Sequence, residues 1–263
     1  MDLLFYVVFF IFGCVMGSFY HVVATRLSND ESIVYPGSHC PKCNYKLKWY
    51  ENIPIISYLM LRGKCSNCHS KIPISYLIVE IVTGLLFSVS YHCFHFDYIQ
   101  IVSLIFISSL IIVIVSDIEY MIILDEVLVV ATLLIIVVYF VFLILENGFF
   151  LGVSELMLKH IYPGIGAFLA MYALKMFGDK VFKKESLGGG DIKLMFLFGL
   201  VLGFSLAVCT IFLATFIAFP IALIIMFTDK ENIIPFGPFL SMSAMLIWIS
   251  KVEFVEILNF LIK

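Results

Sequence analysis

The sequence predicts an all-α polytopic membrane protein of about eight transmembrane helices, interrupted by one small polar loop domain. Three observations lead there. Of the 263 residues, 62% are hydrophobic and 13% charged, against roughly 45–50% and about 25% in soluble domains. Apolar runs bounded by charges, Pro or Gly recur along most of the chain, and a bilayer span takes about 20 such residues. The exception is residues 25–74, which are polar and rich in lysine. A net charge of −3, from 16 basic and 19 acidic residues, leaves no basic field to neutralise a phosphate backbone. Nucleic acid is therefore not an expected partner, whereas membrane lipid is.

The expected spans are 3–24, 75–94, 98–116, 127–145, 161–178, 192–206, 208–228 and 234–250. The first lacks a basic n-region and a small-residue cleavage site, so it reads as a span and not as a signal peptide. The stretch 192–228 is nearly continuous, and length alone splits it near Gly203 into a hairpin. Orientation follows from Lys and Arg, which favour the cytoplasmic side. Arg26, Lys42, Lys46, Lys48, Arg62, Lys64 and Lys71 lie in loop 25–74, Lys180, Lys183, Lys184 and Lys193 around 179–191, and Lys230 in the turn 229–233. Eight spans put all of these inside and both termini outside. The tail 252–263 has apolar residues at helical spacing and reads as an interfacial segment. No internal repeat is evident. Three domains result: a first helix at 1–24, the loop domain at 25–74, and a membrane core with its interfacial tail at 75–263.

Within the loop, Cys40-Pro-Lys-Cys43 and Cys65-Ser-Asn-Cys68 form two Cys-x-x-Cys pairs. Two such pairs can supply the four corners of a tetrahedral zinc site, with a redox dithiol or unliganded thiols as the other readings, and about fifty residues are too few to build a large core unaided. A four-thiolate site is closed, so the expected role of zinc is structural. His69 then reads as a solvated loop residue. Cys14, Cys93 and Cys209 lie in or beside apolar runs and read as packing residues. His21, His92 and His95 read as interface or helix-end residues.

Acids are the costliest residues in a membrane helix, so each asks for an explanation. Asp117 ends the run IVSLIFISSLIIVIVS, and Asp191 opens IKLMFLFGLVLG directly after Gly188-Gly189-Gly190. The topology puts both at the cytoplasmic edge at similar depth. Two carboxyls at hydrogen-bond distance share one proton, the arrangement an aspartic protease uses. The charged member takes a proton from the attacking water, and the protonated member donates to the scissile carbonyl or the leaving amine. The three glycines let an extended chain approach closely. A plainer reading makes each aspartate a helix-end acid favoured by the dipole, and the glycines a linker. Asp125, eight residues on, is the rival second carboxylate; on one continuous helix it would lie about 80° around the axis from Asp117. A cap or turn role suits it better. Glu80, inside the second span, needs a polar partner.

Several segments together resemble the prepilin peptidases, the bifunctional leader peptidase and N-methyltransferase enzymes of type IV pilus, type II secretion and competence systems. They are Gly17-Ser18-Phe19 with Val22 and Arg26, the cysteine pairs, Trp49-Tyr50-Glu51-Asn52-Ile53-Pro54, Ser57-Tyr58-Leu59, Arg62-Gly63-Lys64-Cys65, Ile74-Ser75-Tyr76 with Val79-Glu80, the Asp117 segment, and Gly188-Gly189-Gly190-Asp191-Ile192-Lys193. The resemblance covers nearly the whole chain in order. It implies a Gly-x-Gly-Asp intramembrane aspartyl protease with Asp117 and Asp191 as the catalytic pair. The implied reaction is cleavage of the basic leader of a type IV prepilin or pseudopilin after a glycine, at the cytoplasmic face of the inner membrane. Methylation of the new N-terminal residue with S-adenosylmethionine follows by resemblance alone. Many members have Pro before Asp or Asn where this chain has Leu124-Asp125, which marks Asp125 as dispensable. Two other classes stay open at this point. A proton- or ion-coupled transporter would place its acids near mid-membrane and often repeats, and a zinc-stabilised scaffold would need no chemistry.

Overall fold

The computed structural model describes residues 2–183, 187–226, 235–252 and 254. Lys184, the turn at 229–233 with Lys230, and the tail from 255 onward lie outside the described residues. Ten α-helices and no named strand are found among the described residues. Six helical runs are long and apolar enough to cross a membrane. The chain divides into two compact units, Met1–Gln100 and Ile101–Lys263.

The first unit is built on α1 (Asp2–Ser28) and α3 (Ile74–Phe94), which pack along each other. Small residues make that close crossing: a Cβ on Gly13 would meet the Gly84 Cα at 2.7 Å, and one on Gly17 would meet the Thr83 Oγ1 at 2.8 Å. Hydrophobicity gives no drive between helices in lipid, so such small-xxx-small faces associate by backbone proximity and hydrogen bonds. His21 is buried in this seam, stacked on Tyr76 at 3.6 Å with Nε2 3.1 Å from the Ser75 hydroxyl. Of the interface or helix-end roles expected for it, the helix-end one is corrected, since His21 lies inside α1. Cys14 is buried against Gly84, the packing role expected. Between the two helices run the loop, with one 3-10 turn at Trp49–Asn52, and the short helix α2 (Ile56–Met60).

The second unit contains α4 (Tyr98–Tyr120, entering from the end of the first unit), α5 (Asp125–Asn147), α6 (Phe149–Leu156), α7 (Tyr162–Phe182), α8 (Gly189–Leu202), α9 (Phe204–Met226) and α10 (Gly237–Ser250). A π turn at Met157–Ile161 joins α6 to α7, so the expected fifth span is part of one helical run, Phe149–Val181. Counted this way there are eight membrane-type helices among the described residues, but α8 and α10 have only 14 residues each. At 1.5 Å per residue that is about 21 Å, short of the roughly 30 Å hydrocarbon core. Both are buried nearly all round. Helix ends at membrane depth are tolerated where protein covers them. Gly203, at φ 81°, ends α8 and turns the chain into α9, where length alone placed the split.

Packing explains the central place of α8. A Cβ on Gly199 would lie 2.5 Å from the Pro163 carbonyl oxygen, so only glycine lets α8 touch the start of α7. His160 donates from Nδ1 to the Leu200 carbonyl at 2.9 Å and stacks on Tyr139 at 3.7 Å, satisfying a carbonyl in the last turn of α8. Phe106 of α4 meets Phe198 edge-on at 6.0 Å, and the Trp248 indole of α10 donates to the Ser103 hydroxyl at 2.8 Å.

Candidate active site and metal centre

Asp117 stands in the last turn of α4 and Asp191 in the first turn of α8, each only 6% exposed. They are near enough for the Asp117 charge to act on Asp191. Asp191 occupies the third position after the N-cap and accepts the backbone N–H of Gly188, the N-cap residue. That is one half of a capping box. Its Oδ1 is buried and has no hydrogen-bond partner among the described residues, leaving an acceptor free for a water or a shared proton.

The three glycines divide their work. A Cβ on Gly188 would come within 3.3 Å of the Asp191 Oδ2, one on Gly189 would meet nothing within 4 Å among the described residues, and one on Gly190 would strike Ile123 at 2.6 Å. Gly189 therefore fronts open space beside the acid, while Gly190 is needed for packing. Ile123 also lies under Gly237, where a Cβ would be 3.1 Å from its Cδ1. One side chain in the turn after α4 thus spaces the starts of both α8 and α10.

Gly237 was not singled out from the sequence. Its backbone N–H donates to the Asp117 carboxylate, and a Cβ there would lie 2.5 Å from the Asp117 Oδ2. The positive end of the α10 dipole consequently faces an acid. The available signal was Pro238, since proline favours the first turn of a helix and so marks an N-terminus there.

Asp125 is not part of this pair. A reversal at Met121, φ 56°, ends α4 and breaks any continuous helix from Asp117. Asp125 opens α5 and binds Lys193 at 2.5 Å, on side chains about half exposed. This pair rims a groove of about 490 Å³ walled by Leu128, Leu133, Phe168 and Phe196. In the first unit, Glu80 finds its polar partner in the Ile55 N–H at 2.7 Å, with Ser18 also bonded to it.

In the loop, the four expected cysteines come together: their sulfurs all lie within 4.8 Å of one another and could hold a metal ion. Cys40 and Cys68 are 3.8 Å apart, and Cys43 and Cys65 3.9 Å. The two knuckles repeat one backbone design. Cys40 N–H donates to Tyr45 O, and Asn44 N–H to Cys40 O; Cys65 N–H donates to Ser70 O, and His69 N–H to Cys65 O. Asn44 and His69 take the same left-handed turn, at φ 54° and 57°. The repeat was legible as residues 40–46 against 65–71, so the reading that no internal repeat exists is corrected. Glu51 braces the knuckles: it accepts the Lys48 N–H at 2.7 Å and bonds Ser66 and Tyr45. The Lys48 amide, first among these, holds the Glu51 carboxyl below its ordinary range.

A bacterial peptidase A24 N-terminal domain profile matches residues 11–94, and a type IV leader peptidase family profile matches residues 104–225. A Myxococcus xanthus protein named prepilin leader peptidase/N-methyltransferase is 34% identical over 196 residues, covering 74% of this chain and 56% of that protein. Proteins of the same name from Bacillus subtilis and Neisseria gonorrhoeae are similar over longer spans. The former is 32% identical over 92% of this chain and 93% of its own length, the latter 30% over 90% and 88%. No solved structure matches the chain. Two family profiles in chain order and a relative matched over nine-tenths of both lengths carry one conclusion: the chain belongs to the type IV leader peptidase family.

Proposed function

We propose that the chain is a prepilin leader peptidase and N-methyltransferase of the bacterial inner membrane, with Asp117 and Asp191 as its catalytic pair and its active site at the cytoplasmic face. It removes the basic leader of type IV prepilins or pseudopilins after a glycine and methylates the new N-terminus. The observation that carries the peptidase reading is two buried carboxyls near enough for one charge to act on the other, one with an oxygen unbonded among the described residues, beside the bare backbone of Gly189. One carboxylate takes a proton from water as the water oxygen attacks the scissile carbonyl carbon. The other gives its proton to the carbonyl oxygen or the leaving amine. Gly188, Gly189 and Gly190 form the face along which the extended leader lies, and the apolar groove beside α8 suits the hydrophobic segment that follows the cut.

The metal is zinc, bound by Cys40, Cys43, Cys65 and Cys68. A tetrahedron with Zn–S bonds of about 2.3 Å has S–S edges of about 3.8 Å; the Cys40–Cys68 and Cys43–Cys65 separations are 3.8 and 3.9 Å, and all four sulfurs lie within 4.8 Å of one another. Four thiolates leave no open position, so the ion folds the loop and takes no part in the chemistry. S-adenosylmethionine supplies the methyl group. No strand leads into a helix among the described residues, so no dinucleotide-type cradle is assigned to it and no residue is given that role. The division into a first helix at 1–24, a loop domain at 25–74 and a membrane core from 75 remains the functional partition we favour, with loop 25–74 cytoplasmic on its seven basic residues.

The test is incubation of the purified chain with a synthetic prepilin. Release of a leader ending in glycine supports the assignment. Intact substrate from a folded, metal-loaded chain refutes it.

A further inference from the structure

A membrane span fixes the depth of whatever is hydrogen-bonded to it. Helix α3 has 21 residues, about 31 Å at 1.5 Å per residue, close to the roughly 30 Å of hydrocarbon it must cross. Glu80 lies six residues into it, about 9 Å along the axis, and its carboxylate accepts the Ile55 N–H at 2.7 Å. The loop backbone at Ile55 is thereby held alongside the second turn of a spanning helix, at or inside the edge of the apolar layer.

Backbone at that depth has to satisfy its own polar groups, and much of this segment's backbone is paired. Ser57 N–H donates to Ile53 O, Leu59 N–H to Ile55 O and Leu61 N–H to Ser57 O, while Pro54 has no N–H to satisfy. Ile55 adopts φ 63°, ψ −53°, a conformation a β-branched residue avoids, so the tether to Glu80 holds the segment against local preference. The side chains turned outward are apolar. Ile56, Leu59 and Met60 are 54%, 63% and 74% exposed, at the i, i+3, i+4 spacing of one helix face. The lipid-type surface of α3 adjoins them in kind, with Ile74, Ile78 and Val82 also exposed. Lys48, Arg62 and Lys64 flank the segment and are exposed.

We propose that residues 53–61 form a lipid-docking segment: Ile56, Leu59 and Met60 enter the acyl layer of the leaflet from which α3 starts, and Lys48, Arg62 and Lys64 meet anionic headgroups. Apolar area and basic charge each contribute to such binding. The metal-stapled loop is then seated on the membrane surface and does not hang free in water. This inference depends on α3 spanning the bilayer and not on the proteolytic reading.

The experiment places the full chain in nanodiscs containing about one-third anionic lipid and uses Trp49, which is 80% exposed, as the probe. Its emission is isolated as the difference between wild type and Trp49→Phe. Lipids brominated near the headgroup should quench it at least twofold more than aqueous iodide does. The triple variant Ile56→Ser/Leu59→Ser/Met60→Ser should at least halve that lipid quenching while keeping its bound metal. Should the triple variant lose its metal, Met60→Lys alone is read the same way. Iodide quenching that exceeds lipid quenching in the wild type overturns the proposal. So does lipid quenching that these variants leave unchanged, or a face shielded from iodide only when a prepilin peptide is added.

Discussion

The two compact units gather functional side chains over very different reaches of chain. In the first, four thiols meet across two knuckles, with Cys40 and Cys68 only 28 residues apart. Each knuckle is closed by its own backbone hydrogen bonds. In the second, Asp117 and Asp191 stand on helices separated in sequence by α5, α6 and α7. They are brought together by glycine-permitted contacts at the starts of α8 and α10. A local site is held by short turns and by whatever metal its four thiols take up. A distributed one is held by packing, and its weak points are glycines that carry no side chain at all.

The comparison predicts where each unit breaks. Removing the metal should have the largest structural effect, because structural zinc supplies about 10–16 kcal/mol of apparent binding energy to small folds. Cys40→Ser or a strong chelator should remove about one zinc per chain, the stoichiometry of a closed four-thiolate site. Loop 25–74 should become protease-sensitive while the helical circular dichroism of the membrane core persists. A chain whose loop stays resistant without metal would show that Glu51 and the turns suffice.

Next in size is Gly237→Ala. The added methyl would press on the Asp117 carboxylate and displace its N–H donor. Loss of one positioned backbone donor typically costs on the order of 10²-fold in rate. Prepilin cleavage should therefore slow about 10²-fold in kcat, alongside a stability loss of about 1–3 kcal/mol from overpacking a buried position. Unchanged kcat would separate Gly237 from the site.

Smaller effects are expected where charge meets water. Asp125→Asn should lower thermal stability by less than about 1 kcal/mol, since its pair with Lys193 is half exposed. A larger loss would mean that the pair fixes the start of α5. For Glu51, the carboxyl is held below its ordinary value in the fold. Its contribution is present above the ordinary glutamate pKa of about 4.3 and is lost as pH falls through the lower folded-state value. Glu51→Gln should thus destabilise the loop at neutral pH, and the difference from wild type, read by protease resistance, should shrink on acidification below that value.

Much of this was legible from residue type and spacing. Two Cys-x-x-Cys pairs name a tetrahedral site because the ligands are near neighbours in sequence. Asp117 and Asp191 stand out because charge is expensive in an apolar run, and the hairpin at Gly203 follows from the length limit on a span. What stayed hidden depends on contacts between distant backbones. Gly237 carries no chemistry of its own and matters through an N–H aimed at Asp117. The continuous helix through Met157–Ile161 hides behind polar Lys159 and His160, which look like a loop until His160 is seen bonded to Leu200. His21 looked like a helix-end residue because nothing in its neighbourhood announces that Ser75 and Tyr76 lie across from it.

The central claim, that Asp117 and Asp191 act as one catalytic unit, is tested most directly by single-turnover prepilin cleavage with Asp117→Asn, Asp191→Asn and the double variant. Residues that act as a unit are strongly non-additive. Each single variant should lose at least about 10³-fold, within the range of general acid–base catalysis, and the double variant should lose no more than either. Losses that multiply, or a single variant that still cleaves within about tenfold of wild type, would contradict a shared-proton pair.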